Sequence, residues 1–313
     1  MKRAVFYAGQ GSQKAGMGAD FYENFGEFRE IFDNSELDFD LKKTCFEDPE
    51  NVLGITKYTQ PCITACTVGI SQILKRCGFK PDYCAGLSLG EYAALEMAGV
   101  FEPHDVIKLT AKRGQAMDDA SRGIECQMVA VLGLDGDELL KITESFQKIG
   151  RVSITNYNCP GQIVIGGEKE AVNLYADEAL KAGASRIVPL DVSGPFHTEM
   201  MEPAKKPLEK AFDEAEFGRM DIPVVFNCLG TEKEEPQVVR DLLIRQLVEP
   251  VKMEQTISYL LDKGVREFIE IGSNRALSGF VKRTARNKHV SDVKTISIGT
   301  VEDLDVFLNR GVA

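Results

Sequence analysis

Histidine is scarce. Only His104, His197 and His289 occur among 313 residues. No two of them share a helix face or hairpin spacing, so no metal centre is expected. No apolar run approaches the ~20 residues needed to cross a bilayer. Lys2-Arg3 precede only Ala4-Val5-Phe6-Tyr7-Ala8, too short for the core of a secretory signal. The eight cysteines, at 45, 62, 66, 77, 84, 126, 159 and 228, include no Cys-x-x-Cys pair. They read as buried thiols, and the chain as cytoplasmic. Positive charge is in deficit: 37 Lys and Arg face 48 Asp and Glu, a net charge of -11. That excludes the basic face a nucleic acid requires, and it obliges any acidic partner to find a local cationic patch.

What is present is a packed core, with 43% hydrophobic and 27% charged residues. Strand-like runs alternate with helical ones: Ala4–Tyr7, a Phe-rich acidic stretch from Phe21 to Cys45, and a helix opened by Thr59-Gln60-Pro61 and closed by Gly78. Glu102-Pro103 starts another helix that contains Arg113-Gly114. From Met128 the order changes to strand, helix (Gly136–Gln147), strand, strand, helix, strand, which is the ferredoxin-like βαββαβ arrangement. Strands at Pro223–Asn227, Glu267–Ile271 and Val293–Ser297 then alternate with helices again. The expected class is α/β, a hydrolase-like, mostly parallel sheet covered by helices with an inserted ferredoxin-like subdomain. The expected boundaries are 1–123 and 197–313 for the large subdomain and 124–196 for the small one.

The central stretch is Asp82-Tyr83-Cys84-Ala85-Gly86-Leu87-Ser88-Leu89-Gly90-Glu91. An apolar run ends in Gly-x-Ser-x-Gly and a helix-forming run follows, the pattern of a strand, a sharp turn and a helix with a serine at the tip. Ser88 is either a nucleophile or a capping serine in a glycine-rich turn. His197, in Ser193-Gly194-Pro195-Phe196-His197 at the end of the insertion, is the histidine best placed as its base. The early loop Gly9-Gln10-Gly11-Ser12-Gln13-Lys14-Ala15-Gly16-Met17-Gly18 carries Lys14 where a dinucleotide fingerprint needs its third glycine. It carries Met17 and Gly18 where a P-loop needs Lys and Ser or Thr. Its better use is an oxyanion donor: Gln10 offers a backbone N–H, or a side-chain amide for substrate. Arg113 reads either as a two-pronged clamp for a carboxylate or as a surface cation paired with an acid.

Six motifs occur in order: Gly9-Gln10-Gly11-Ser12-Gln13, Gly86-Leu87-Ser88-Leu89-Gly90-Glu91, Arg113-Gly114, Asn158-x-Pro160-Gly161-Gln162, Phe196-His197 and Glu270-Ile271-Gly272. With these the chain resembles malonyl-CoA:acyl-carrier-protein transacylases along essentially its whole length. The resemblance implies Ser88 as nucleophile and His197 as base, with the imidazole oriented by the Gln246 carbonyl rather than by a carboxylate. It implies an oxyanion hole from the N–H groups of Gln10 and Leu89, and Arg113 as the partner of the malonyl carboxylate. Asn158 is placed near the site, and Phe196 would narrow the pocket against branched acyl groups. No cofactor is implied. Malonyl-CoA is the substrate, an acyl carrier protein brings the phosphopantetheine thiol, and the chain is expected to act as a monomer. The chain departs from the family at Ala8, Leu87, Glu249 and Gly272-Ser273-Asn274. A serine hydrolase or thioesterase, a transacylase serving polyketide carriers, and a non-enzymatic carrier-docking protein remain the alternatives. Lys282, Arg283, Arg286 and Lys288 form the densest cationic stretch, a candidate carrier-docking patch or a solvated helix face.

Overall fold

The chain opens on strand β1 (Lys2–Tyr7), followed by three short helices, α1 (Ala19–Asn24), α2 (Gly26–Asp33) and α3 (Leu41–Phe46). Then come α4 (Thr56–Arg76), β2 (Tyr83–Gly86), α5 (Gly90–Met97) and α6 (Pro103–Ser121). The middle of the chain is β3 (Cys126–Leu132), α7 (Gly136–Phe146), β4 (Val152–Cys159), β5 (Gln162–Glu168), α8 (Lys169–Lys181) and β6 (Arg186–Pro189). The remainder is α9 (Glu202–Asp213), α10 (Val239–Gln246), β7 (Val251–Lys252), α11 (Met253–Asp262), β8 (Val265–Ile271), α12 (Ala276–Asn287), β9 (Lys294–Ile298) and α13 (Val301–Leu308). This computed structural model describes residues 1–146, 149–234 and 238–309, so Gln147, the expected last residue of α7, lies outside the described residues.

Two sheets organise these elements. One is parallel, in the order β2-β1-β8-β9. Alternation along its strands buries both faces. Val5, Tyr7, Cys84, Ile269 and Ile271 enter one core with α4, α5 and α6. Ala4, Phe6, Tyr83, Ala85 and Phe268 enter another with α11 and α12. The second sheet runs β6-β3-β5-β4-β7 and is antiparallel except where β7 joins β4. The order of its first four strands is the ferredoxin-like order. Val129, Val131 and Ile165 pack under α7 and α8, whereas Met128, Ala130 and Val164 on the opposite face join the large core. The face of the second sheet that carries Met128, Ala130 and Val164 is thus part of the large core.

The structure departs from sequence expectation in two places. Helix α4 starts at Thr56, and Pro61 lies inside it rather than in its first turn. Pro61 has no N–H to give the Lys57 carbonyl, but the helix is held from outside: Gly114 of α6 brings the two backbones so close that a Cβ there would meet Thr56 O at 2.8 Å. Among the described residues the segment Pro223–Asn227 makes only isolated bridges, Cys84 with Val224 and Val225 with Glu232. It borders β2 through Cys84 N to Pro223 O and Val225 N to Cys84 O, each 2.9 Å. It then leaves the ladder because the Asn227 N–H donates to Glu91 Oε2 (2.5 Å) instead.

Candidate active site

The turn at the carboxyl end of β2 is a strained elbow. Ser88 has φ 51°, a left-handed conformation that costs a non-glycine residue about 1–3 kcal/mol and persists only where its surroundings dictate it. Gly86 and Gly90 allow the bend: a Cβ on Gly86 would strike the Gly90 carbonyl carbon, and one on Gly90 would strike Tyr7 O. Gly9 serves the neighbouring loop in the same way, since its Cβ would collide with Leu87 O. These three glycines interlock the elbow with the loop after β1, which brings Gln10 beside the serine.

Ser88 Oγ lies 2.7 Å from His197 Nε2. His197 Nδ1 lies 2.7 Å from the Gln246 carbonyl oxygen. A carbonyl can only accept, so Nδ1 carries the proton and Nε2 is left to accept from the serine hydroxyl. Gln246 is the last residue of α10, where helical carbonyls lack an in-helix partner and the dipole is negative. That helix end does the orienting which a carboxylate does in other serine enzymes. Glu249 forms a two-pronged pair with Arg245 at 2.8 and 3.0 Å.

Burial, and secondarily the nearby Arg113, push the His197 imidazole down to about 4. The base form therefore prevails at neutral pH. Since an imidazolium cannot take the serine proton, we expect acylation of Ser88 by an activated ester to be level from about pH 6 to 8, with an acid limb centred near the His197 value. Stopped-flow acylation across pH, with circular dichroism at each point to exclude unfolding, measures this; a limb centred near 6.5 would show the imidazole to be solvated.

Arg113 is 1% exposed. Its Nη1 donates to Gln60 Oε1 (2.9 Å), and its Nη2 donates to Gln246 Oε1 (2.9 Å) and to Ser88 Oγ (3.2 Å). The guanidinium carbon stands 5.3 Å from the Tyr92 ring centroid, a favourable cation–π distance. No carboxylate forms an ion pair with Arg113 among the described residues, and its Nε is buried with no partner. The surface-cation reading fails here. Burial lowers the Arg113 pKa.

Leu89 immediately precedes α5. Neither its N–H nor that of Gln10 donates to a protein acceptor among the described residues. The Gln10 side chain is turned away, its Nε2 donating to Thr56 Oγ1 at 3.0 Å, and Thr56 Oγ1 in turn meets Ser193 Oγ at 2.6 Å. Asn158, at the end of β4, is buried with Oδ1 unpartnered, and no hydrogen bond ties it to Ser88, His197 or Arg113 among the described residues. Phe196 is buried in the large core beside Gly194 and Ser121.

Four participants in this network escaped sequence analysis: Gln60, Thr56, Glu91 and Asn227. The available signal was polarity in the wrong place. Gln60 lies in an apolar helix, Glu91 in the first turn of the buried helix α5, and Asn227 ends the run Val224-Val225-Phe226. Burial pushes the Glu91 carboxyl up to about 8, against the opposing pull of the Asn227 N–H, Gln246 and Arg113. No group of three or more His, Cys, Asp or Glu residues is arranged to hold a metal among the described residues.

Comparisons with known proteins place the chain in a family. The acyl transferase domain model matches residues 5–305. Malonyl CoA-acyl carrier protein transacylase of Bacillus subtilis (strain 168) is 37% identical over 308 residues, 97% of this chain and 96% of that one. The solved malonyl CoA-acyl carrier protein transacylase from Clostridium perfringens superimposes with a TM-score of 0.93 at 36% identity, covering 100% of this chain and 98% of that chain. A malonyl-transacylase solved in complex with its type II PKS acyl-carrier protein gives 0.92 at 34% identity, with 99% of each chain covered. Similarity along its whole length, in sequence and in fold, makes the chain a member of the malonyl-CoA–acyl carrier protein transacylase family of acyl transferases.

Proposed function

We propose that the chain moves a malonyl group from malonyl-CoA to the phosphopantetheine thiol of an acyl carrier protein, supplying fatty acid biosynthesis, through a malonyl ester on Ser88. His197 Nε2 takes the Ser88 proton as Oγ bonds to the thioester carbonyl carbon. The N–H groups of Leu89 and Gln10 hold the tetrahedral oxyanion, each such donor contributing about 3 kcal/mol to lowering the barrier. The C–S bond breaks and the proton passes from His197 to the CoA sulfur. In the second half the carrier thiol gives its proton to His197, its sulfur bonds to the acyl carbon, and the ester C–O bond breaks with the proton returning to Oγ. Only acyl and proton exchange occur, so we assign no cofactor. We read residues 1–123 and 197–313 as the large subdomain that holds these groups, and 124–196 as the small one. We assign Asn158 and Phe196 to the pocket wall.

The observation that carries this reading is Arg113. A buried cation within reach of Ser88 Oγ and lacking an anionic partner is stabilised by a substrate that brings its own carboxylate. A plain esterase has no use for it, which disfavours the hydrolase alternative. The direct test follows the isolated malonyl-enzyme by intact mass in buffer: persistence until carrier protein is added supports transfer, and rapid loss of malonate to water overturns it.

The same reading gives a monomeric cytoplasmic protein. All eight cysteines are free, and no helix among the described residues is long and apolar enough to cross a membrane. For the carrier, Lys282, Arg283 and Arg286 are exposed on α12. Arg283 Nη1 reaches Gln162 Oε1 in the small unit at 3.1 Å, so this cationic face stands at the junction of the two units. Lys288 is already paired with Asp262 (3.0 Å). Reversing Lys282 and Arg286 to Glu should slow transfer to carrier protein by about tenfold at low salt, with acylation by malonyl-CoA unchanged. Equal carrier kinetics in parent and variant would place docking elsewhere.

A further inference from the structure

The backbone of Ser88 is held by side chains from a remote part of the chain. Its N–H donates to Asn227 Oδ1 at 2.6 Å. The same carboxamide donates from Nδ2 to Gly86 O at 2.7 Å. One amide therefore bridges the two ends of the elbow, closing a ring around Leu87. On the other side of the serine, Gln246 Nε2 donates to Ser88 O at 3.0 Å. Asn227 is itself fixed on both flanks. Its N–H donates to Glu91 Oε2 at 2.5 Å, and its carbonyl accepts from Lys252 N at 2.9 Å. Asn227 and Glu91 are both fully buried, so water does not substitute for either.

We propose that Asn227, anchored by Glu91, is a positioning residue for the nucleophile: its carboxamide holds the Gly86–Ser88 elbow in the left-handed conformation that aims Oγ at His197. A second consequence concerns the oxyanion. Because Ser88 N–H is committed to Asn227, it cannot serve as a donor to the substrate. The developing charge falls to Leu89 and Gln10 alone. Asn227 thus sets both the direction of the hydroxyl and the identity of the donors facing the thioester, without touching the substrate. A displacement of the nucleophile of about 1 Å is enough to slow a reaction by about 10²-fold.

The inference rests on Ser88 being the nucleophile, and the experiment separates the two. Ser88 is first labelled in the parent with a small fluorophosphonate, which also counts active sites. No label on Ser88 in the parent would overturn the reading beneath this one. The decisive variant is Asn227→Asp, which matches Asn in shape. Neutral, its hydroxyl donates to Gly86 O and its carbonyl accepts from Ser88 N–H, so the clip survives. Ionised, it presents only acceptors and repels Gly86 O. The groups around it are Glu91 on α5, Lys252 on β7, Cys228 next in sequence, and Arg113 and His197 beyond Gln246; all are common to parent and variant. The quantity read is kcat per titrated site, as the ratio of variant to parent at each pH from about 6 to 9, so that the titration of His197 cancels. The expected ratio falls at least about tenfold as pH rises, while KM for malonyl-CoA stays within about threefold. Asn227→Ala should be about 10²-fold slow at every pH, with fluorophosphonate labelling slowed in step. A ratio for Asn227→Asp that stays within about threefold of 1 at every pH, or a change in KM alone, overturns the proposal.

Discussion

Ser88→Ala is expected to show no mass gain when mixed with malonyl-CoA, where the parent gains one malonyl group. Transfer to carrier protein should fall by roughly 10⁶-fold, the loss seen when the nucleophile of a serine enzyme is removed, with the residue of catalysis coming from the oxyanion donors and substrate binding. The fold should survive. Arg113 loses one acceptor, at 3.2 Å, but keeps Gln60 and Gln246, and one such bond is worth about 1 kcal/mol net. A variant that still acquired malonyl would show the ester to lie on another residue.

Arg113→Ala is the second large effect. Removing one partner of a buried, hydrogen-bonded charge pair costs about 2–5 kcal/mol, so kcat/KM for malonyl-CoA should fall by about 30- to 5,000-fold. Acetyl-CoA carries no distal carboxylate, and its kcat/KM should change by less than about tenfold, which collapses the preference between the two. Arg113→Lys should not rescue malonyl use. One ammonium on a flexible stem cannot span Gln60 Oε1 and Gln246 Oε1, which Arg113 bridges with separate nitrogens. Parallel losses for malonyl-CoA and acetyl-CoA would instead make Arg113 a support for the elbow.

The parts of this site legible in the sequence are those with a local signature. Gly86-x-Ser88-x-Gly90 encodes a turn because only glycine tolerates the close approaches on either side of the serine. Glu102-Pro103 marks the start of α6, and Pro103 is indeed its first residue. The βαββαβ order of the middle segment gave the ferredoxin-like sheet. What remained hidden depends on side chains far apart in the chain. Asn227 and Ser88 are 139 positions apart, and Gln60 and Arg113 are 53 apart. A buried amide bonds to whatever the fold brings near it, so its sequence neighbours carry no trace of its partner. Pro223–Asn227 looks like a strand because its composition is strand-like, but the pull of Glu91 on one N–H ends the ladder. The two-residue strand β7 is too short for any periodicity to reveal.

That short strand has a mechanical consequence. Lys252 N is tied to the Asn227 carbonyl, and Val251 and Lys252 pair with Asn156 and Tyr157 in the five-stranded sheet. The polypeptide that holds the Ser88 backbone is therefore stitched to the five-stranded sheet. The two sheets cannot part at this point without tearing that seam and loosening the hold on Ser88. The turn that carries Ser88 thus inherits its stiffness from a sheet to which its own strand does not belong.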